Sequence, residues 1–227
     1  HEVKMVMQTV GVHDTLTLRK IPEGITFFTE NGEIPCDDTN LAYRAAKLFL
    51  ESTGVKGGVE IQLIKRIPVA AGLAGGSTDA AAVLVLLNDL YQTGLTQEQL
   101  MEMGLALGAD VPFCIAGGTM LAEGIGEVLT PLPHAPQAFV VLCKPPVAVS
   151  TPAIYRAIDS VDIARRPDTQ AMLRALKDGD LQAVSALLYN VMQPVTANMH
   201  PEIEDICRMM REHGAMNAIM SGSGPTV

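Results

Sequence analysis

The chain has 227 residues, a net charge of −9 and 48% apolar residues, enough for one large domain or two small ones around a substantial core. The acidic balance, with a pI near 5.0, argues against a nucleic-acid surface, and no window nears the roughly 18 apolar residues of a membrane span. No signal peptide is expected. Cys36, Cys114, Cys143 and Cys207 form no C-x-x-C pair, and the histidines lack ligand spacing. A reduced, cytoplasmic protein without a metal site of its own is therefore expected.

Residues 1–9 and 15–19 alternate apolar and polar side chains, which predicts two antiparallel strands joined by a turn at His13-Asp14. Ile25 to Thr29 is a third candidate strand. Asp37-Asp38-Thr39 then caps a helix over 40–52, with Leu41, Ala45 and Leu48 on its inward face. Gly54 and the Gly57-Gly58 pair end it. Val59 to Lys65 reads as a half-buried strand and leads into Pro68–Leu84, PVAAGLAGGSTDAAAVL. Gly72, Gly75 and Gly76 make a loop that can adopt φ > 0. Ser77, Thr78 and Asp79 are N-cap types, and Ala80 to Leu87 is apolar on every side.

A glycine loop feeding a buried helix presents free N–H groups and a positive dipole end, which suits a phosphate. On shape alone, a plain turn before a capped helix is an equal alternative. Ser77 after Gly76 excludes the P-loop, and the glycine spacing excludes the dinucleotide fingerprint. Asp79 is an objection, tolerable only if its carboxylate turns away from the loop mouth.

Thr96-Gln97-Glu98-Gln99 is a capping box opening a helix with Leu100, Met103 and Leu107 on one side. Gly108 stops it, and Pro112 predicts an extended Val111, placing Asp110 at a helix-to-strand junction. Thr119–Ala122 and Phe139–Cys143 read as strands. Between them Gly124, Gly126, Pro131, Pro133 and Pro136 mark a domain boundary, giving domains 1–135 and 136–227. The second half is mostly helical, over 151–158, 169–177, 181–191 and 201–213. Ala218–Met220 is a short strand running into a second glycine turn, Ser221–Gly224.

Asp110 is a carboxylate in an apolar context. It is either a turn residue bonding its own backbone or a base for a hydroxyl proton next to a phosphate cradle. Tyr155 reads equally as an amphipathic-helix tyrosine with a wet hydroxyl.

PVAAGLAGGSTDAAAVL resembles the second motif of the GHMP kinases (galacto-, homoserine, mevalonate and phosphomevalonate kinases), and MSGSGPTV at 220–227 resembles their third. His1-Glu2-Val3, Asp38-Thr39-Asn40-Leu41, Lys65-Arg66-Ile67-Pro68 and Gly108-Ala109-Asp110-Val111-Pro112 are similar to the branch that phosphorylates the 2-hydroxyl of 4-diphosphocytidyl-2-C-methyl-D-erythritol, in the non-mevalonate isoprenoid route. The resemblance covers nearly the whole chain in order. It implies an α+β fold of two domains: an N-terminal domain like domain 2 of ribosomal protein S5 and a ferredoxin-like C-terminal domain, with the active site in the cleft between them. It implies ATP, with Mg²⁺ carried by the nucleotide, as phosphoryl donor. Asp110 matches the family's catalytic Asp. Gly72, Leu73, Ala74, Gly75, Gly76, Ser77 and Thr78 match the phosphate loop, and Ser221, Gly222 and Ser223 the motif supporting it. Asn40 and Lys65 fall where the family places residues near the nucleotide. His1 and Tyr155 fall where it reads and stacks on the cytosine. A homodimer is left open.

The family's first motif, which supplies a catalytic Lys, would precede His1, as would the second aromatic of the cytosine site. The chain is therefore expected to be trimmed at both ends, and a molecule beginning at His1 is expected to turn over little. The competing readings are a mevalonate- or homoserine-type GHMP kinase and a non-catalytic nucleotide-binding protein on the same fold.

Overall fold

The computed structural model describes residues 1–227 apart from Asn31, Glu33 and Ala164. They divide into two compact units, one formed by Glu2–Val69 with Ala74–Thr130, the other by His1, Ala70–Leu73 and Pro131–Val227.

The first unit carries two three-stranded sheets. Strand β1 (Met5–Gln8) pairs antiparallel with β5 (Thr119–Glu123), and β6 (Val128–Pro131) lies on the other side of β5. Strand β2 (Thr15–Ile21) pairs antiparallel with β4 (Gly58–Ile64), and β3 (Ile25–Thr29) pairs parallel with β4 on its other side. The three early strands all form, but β1 does not pair with β2 as expected. Each takes its partner from further along the chain, Met5 opposite Ala122 and Thr15 opposite Ile64. Both strands are only partly covered, so their alternation says that one face is wet without saying what lies beside them.

Helices α1 (Leu41–Thr53) and α2 (Gly75–Tyr91) pack on each other and on the β2-β4-β3 sheet. Phe49 of α1, Ile61 and Leu63 of β4, and Val83, Leu84 and Leu87 of α2 are fully buried together. The inward face of α1 is Ala42, Ala45, Ala46 and Phe49 rather than the Leu41 and Leu48 edges of that stripe, because three alanines let α2 approach closely. Asn88-Asp89 does not interrupt α2. Asn88 instead bonds Thr93 and the backbone of Leu95, tying down the turn that follows.

The capping box at Thr96 forms with both bonds and opens α3 (Gln97–Leu105). The short helix α4 (Val111–Ala116) replaces the expected extended segment, with Asp110 as its N-cap residue. Proline costs nothing in a first helical turn. Val111 is pulled into the helix by burial, its Cγ1 lying 2.8 Å from where a Cβ on Gly104 would stand.

In the second unit, α5 (Thr151–Ile158), α6 (Thr169–Asp178), α7 (Leu181–Ala186), α8 (Gln193–Met199) and α9 (Glu202–Glu212) carry the structure. The helix expected over 181–191 ends at Ala186. Asn190 instead accepts from Met192 N–H at the entry of α8, whose first turn holds Pro194. Neither Phe139–Cys143 nor Ala218–Met220 forms a strand. Cys143 exchanges two backbone bonds with Val227 (2.9 and 3.0 Å), while Phe139, Val140 and Val141 are exposed. Met220 is held by side chains: its N–H donates to Gln193 Oε1 (2.9 Å) and its carbonyl accepts from Asn190 Nδ2 (2.8 Å). Apolar composition predicted extended backbone at both places, but a strand needs a partner.

Leu84 is fully buried at the centre of the first unit's core. Leu84→Ala should cost about 2–5 kcal/mol, read as a lower urea midpoint at unchanged slope.

Candidate active site

The glycine loop does not stand in front of a helix; its second half is the helix. Ala74, at φ 51°, is the N-cap residue of α2, and Gly75, Gly76, Ser77 and Thr78 form the first turn. Thr78 is the first residue whose N–H bonds back, to Ala74 O (2.8 Å). By helix geometry the N–H groups of Gly75, Gly76 and Ser77 have no acceptor within the helix. Gly76 is exposed, and a Cβ there would meet only Leu41 Cδ1, at 3.6 Å. Its missing side chain thus leaves the outer surface of the turn open. Free amides at the positive end of a 17-residue helix form a fitting cradle for phosphate oxygens.

Ser77, Thr78 and Asp79 are therefore not capping residues. Thr78 Oγ1 donates to Ala74 O (3.0 Å). Asp79 turns inward, away from the loop mouth, and Lys65 Nζ donates to its Oδ2 (3.0 Å). The same ammonium donates to Asp14 Oδ2, while Asp14 Oδ1 accepts from the N–H groups of Arg66 and Ile67 (2.8 Å for Ile67). The side chains of Lys65, Asp14 and Asp79 are 5%, 1% and 4% exposed. Two carboxylates share one cation out of water, so one of them favours the protonated state. That one is Asp79. Burial pushes it up to about 7, outweighing Lys65, and its Oδ1 is buried without a hydrogen-bond partner. Burial also works to raise Asp14, but the bonds from Arg66 N–H, Lys65 and Ile67 N–H outweigh it and hold Asp14 below its ordinary value.

Asp110 sits at the N-terminus of α4 yet makes no capping bond with its side chain. The turn-residue alternative is thus not what this carboxylate does. Burial alone raises its pKa. The β5–β6 turn lies beside it, a Cβ on Gly126 coming 4.0 Å from Asp110 Oδ1. One turn further along α4, Cys114 Sγ is 3.4 Å from Thr78 Oγ1, so the starts of α4 and α2 are held side by side. The thiol is pushed up to about 11 by burial and is inert at neutral pH.

Two further groups come together in the second unit. The first half of the glycine loop, Ala70–Leu73, is bound to the Ser221–Gly224 turn. Ser221 Oγ donates to Gly72 O (2.8 Å) and Thr226 N–H to Ala71 O (3.3 Å). Gly72, at φ 71°, is obligatory: a Cβ there would stand 2.6 Å from Ser221 O and 2.8 Å from Gly224 O. Ser223 is buried between Thr151 Oγ1 (2.7 Å) and Thr196 Oγ1, which donates to its carbonyl (3.2 Å). Asn190 donates to Gly222 O (2.7 Å). Separately, the rings of His1 and Tyr155 stack at 4.7 Å between centroids, and His1 Nε2 contacts Asp159 Oδ1 at 2.7 Å.

The GHMP kinases N terminal domain matches residues 40–118, and the GHMP kinases C terminal domain matches residues 172–227. The chain belongs to the GHMP kinases. A 4-diphosphocytidyl-2-C-methyl-D-erythritol kinase of Caldicellulosiruptor saccharolyticus is 47% identical over 228 aligned positions, which span all of this chain and 79% of the relative. The enzyme of the same name from Exiguobacterium sibiricum is 50% identical over the same share. Among solved structures, a 4-(cytidine 5'-diphospho)-2C-methyl-D-erythritol kinase aligns with a TM-score of 0.84 at 37% identity, covering this chain completely and 80% of the other. An L. major mevalonate kinase aligns at 0.78 with 19% identity, which speaks for the shared fold alone.

Of the residues singled out from the sequence, the structure groups Gly75–Thr78 with Asp110 in one unit, and Gly72 with Ser221–Ser223, and His1 with Tyr155, in the other. Two make hydrogen bonds within the first unit. Asn40 is the N-cap of α1, its Oδ1 accepting from Ala42 N–H (2.9 Å) and its Nδ2 donating to Pro35 O (2.8 Å). Lys65 points at carboxylates. Asp14, Asp79 as a partner of Lys65, and Asn190 were not singled out. The signal for Asp79 was its misplacement: a carboxylate buried one residue past the glycine-rich first turn of an apolar helix needs a cation of its own. Among the described residues no cluster of three or more His, Cys, Asp or Glu could hold a metal ion.

Because the folded state holds the Asp79 proton up to about 7, against 3.8 ordinarily, the native protein binds more protons than the unfolded chain in between. The Asp79 contribution therefore lowers stability as pH rises from about 4 towards 7. Urea unfolding across that window should show a shallower decline in Asp79→Asn; an unchanged slope would show that Asp79 is ionised throughout.

Proposed function

We propose that this chain transfers the γ-phosphoryl group of ATP to the 2-hydroxyl of 4-diphosphocytidyl-2-C-methyl-D-erythritol, with Asp110 as the general base. The observation that carries the catalytic assignment is a half-buried carboxylate, spared from capping its own helix, on a helix packed beside the open first turn of α2. The amides of Gly75, Gly76 and Ser77 hold phosphate oxygens of ATP. Gly72 and the Ser221–Ser223 turn fix the start of that loop. A Mg²⁺ ion carried by the nucleotide would offset the negative charge on the transferring phosphates. Asp110 accepts the proton of the acceptor hydroxyl as its oxygen forms a bond to the γ-phosphorus and the bond to the ADP leaving group breaks. Burial helps here, because a carboxylate raised towards neutrality is a stronger base.

The cytosine end is assigned to His1 and Tyr155. Their stacked rings offer an aromatic face, and the contact of His1 with Asp159 orients the imidazole. Residues 1–135 are proposed as the nucleotide-binding, catalytic domain and 136–227 as the C-terminal domain, in a cytoplasmic enzyme. The relatives' shared substrate and the His1–Tyr155 pair favour this acceptor over mevalonate or homoserine, and a panel of the three acceptors tests it.

In the intact enzyme, Asp110→Asn should lower kcat by about a hundredfold or more, the range for losing a positioned base, with ATP still bound. Near-normal turnover would remove Asp110 from the mechanism. Tyr155→Ala should raise KM for the cytidine substrate about tenfold, the scale of a lost stacking contact, while KM for ATP stays unchanged. An equal rise in both would deny Tyr155 a role at the cytosine.

A further inference from the structure

We propose that Asp14, Lys65 and Asp79 form a buried clamp that fixes the first turn of α2 against the end of β4, so that Lys65 positions the phosphate cradle without touching the nucleotide. The inference rests on the reading that Gly75–Ser77 hold ATP phosphates.

The clamp has three attachment points. Asp14 stands just before β2, and the β2–β4 register, Thr15 opposite Ile64, brings it to the end of β4. There it accepts the N–H groups of Arg66 and Ile67 and holds the chain as it leaves the sheet. Lys65 then bridges from Asp14 to Asp79, the fifth residue of α2. Finally, Gly75 is seated directly on this bridge. A Cβ there would lie 3.0 Å from Lys65 Nζ and 2.9 Å from Ile67 Cγ2, so the first helical residue rests on the ammonium and the Ile67 side chain. A lysine that grips a phosphate from the solvent side must expose its ammonium. This one is 5% exposed and spends its donors on two carboxylates.

Stability alone does not account for the arrangement. A buried ion pair is often no more stable than apolar residues of the same volume, and here a second carboxylate is added and Asp79 Oδ1 goes unpartnered. What hydrogen bonds supply and apolar contacts do not is direction. The clamp sets the angle at which three amides face the ligand, and small misplacements of such groups are costly. It also disposes of the charge: Asp79 is drawn behind the turn and matched to a cation, where it no longer opposes a phosphate. The groups facing it are Lys65 from just beyond β4, Asp14 from the segment before β2 and the neutral thiol of Cys114 from α4.

The test is a double-mutant cycle on the intact enzyme, read as the Kd of a fluorescent ATP analogue, with thermal unfolding to confirm a folded state. Lys65→Met and Asp79→Leu should each weaken binding about tenfold, a typical coupling for residues in one buried network. Lys65→Met/Asp79→Leu together should weaken it no further than the stronger single change. Asp14→Asn, remote from the cradle, should weaken it in the same direction. Additive losses, or a loss for Lys65→Met with wild-type binding for Asp79→Leu, would overturn the clamp in favour of a direct Lys65 contact. Should Asp79→Leu not fold, Asp79→Ala replaces it in the cycle with the same expectation. No binding by the wild type would instead overturn the phosphate-cradle reading, and the clamp with it.

Discussion

Helix α2 buries Ala80, Val83, Leu84 and Leu87 while its first turn stays open, and the rest of the first unit is arranged around that requirement. An all-round apolar helix must be enclosed. The β2-β4-β3 sheet, α1 and α4 cover most of it, and Val85 stays exposed. Once they do, the direction of its dipole is fixed, and so is the place where its free amides emerge. The open first turn is the end of a core element, which is why its amides are held in place and yet lack a helical acceptor.

The same burial creates a difficulty that the chain resolves nearby. Asp79 lies one residue beyond the open turn, on the buried side of the helix with Ala80 and Val83. Facing the open turn, it would repel any anion drawn to the positive end of the helix. Turning it inward would strand a carboxylate. Lys65 and Asp14 settle this by giving it a partner and anchoring that partner to the backbone of the loop's approach. Asp79 is the weaker acid of the two: burial raises it beyond what Lys65 offsets, whereas Asp14 also accepts two backbone N–H groups that hold it down.

Asp110 and the Ser221–Gly224 turn are held by different means. Asp110 is left uncapped and half-buried at a helix start, so its proton affinity is set by desolvation. The turn is held by steric necessity: Gly72 admits no side chain against Ser221 and Gly224, and Ser223 is enclosed by two hydroxyls. In one case the chain leaves a carboxylate uncapped, and in the other it removes freedom from a loop.

Local pattern was enough to mark the glycine loop, the capping box at Thr96, helices α5 and α6 almost to the residue, and Asp110 as a carboxylate out of place in apolar surroundings. Those features depend on neighbours within a turn or two. It was not enough for strand partners: β1 and β2 look like a hairpin and are not, because period-two alternation names a face and not a neighbour. Nor was it enough for Val111, where burial against Gly104 overrode the bias before proline. The residues of the loop were legible, but the clamp beneath it was not. Asp14, Lys65 and Asp79 are separated by 51 and 14 positions, and only the pairing of β2 with β4, closed over α2, brings three ionisable groups out of water and leaves one cation to serve two acids.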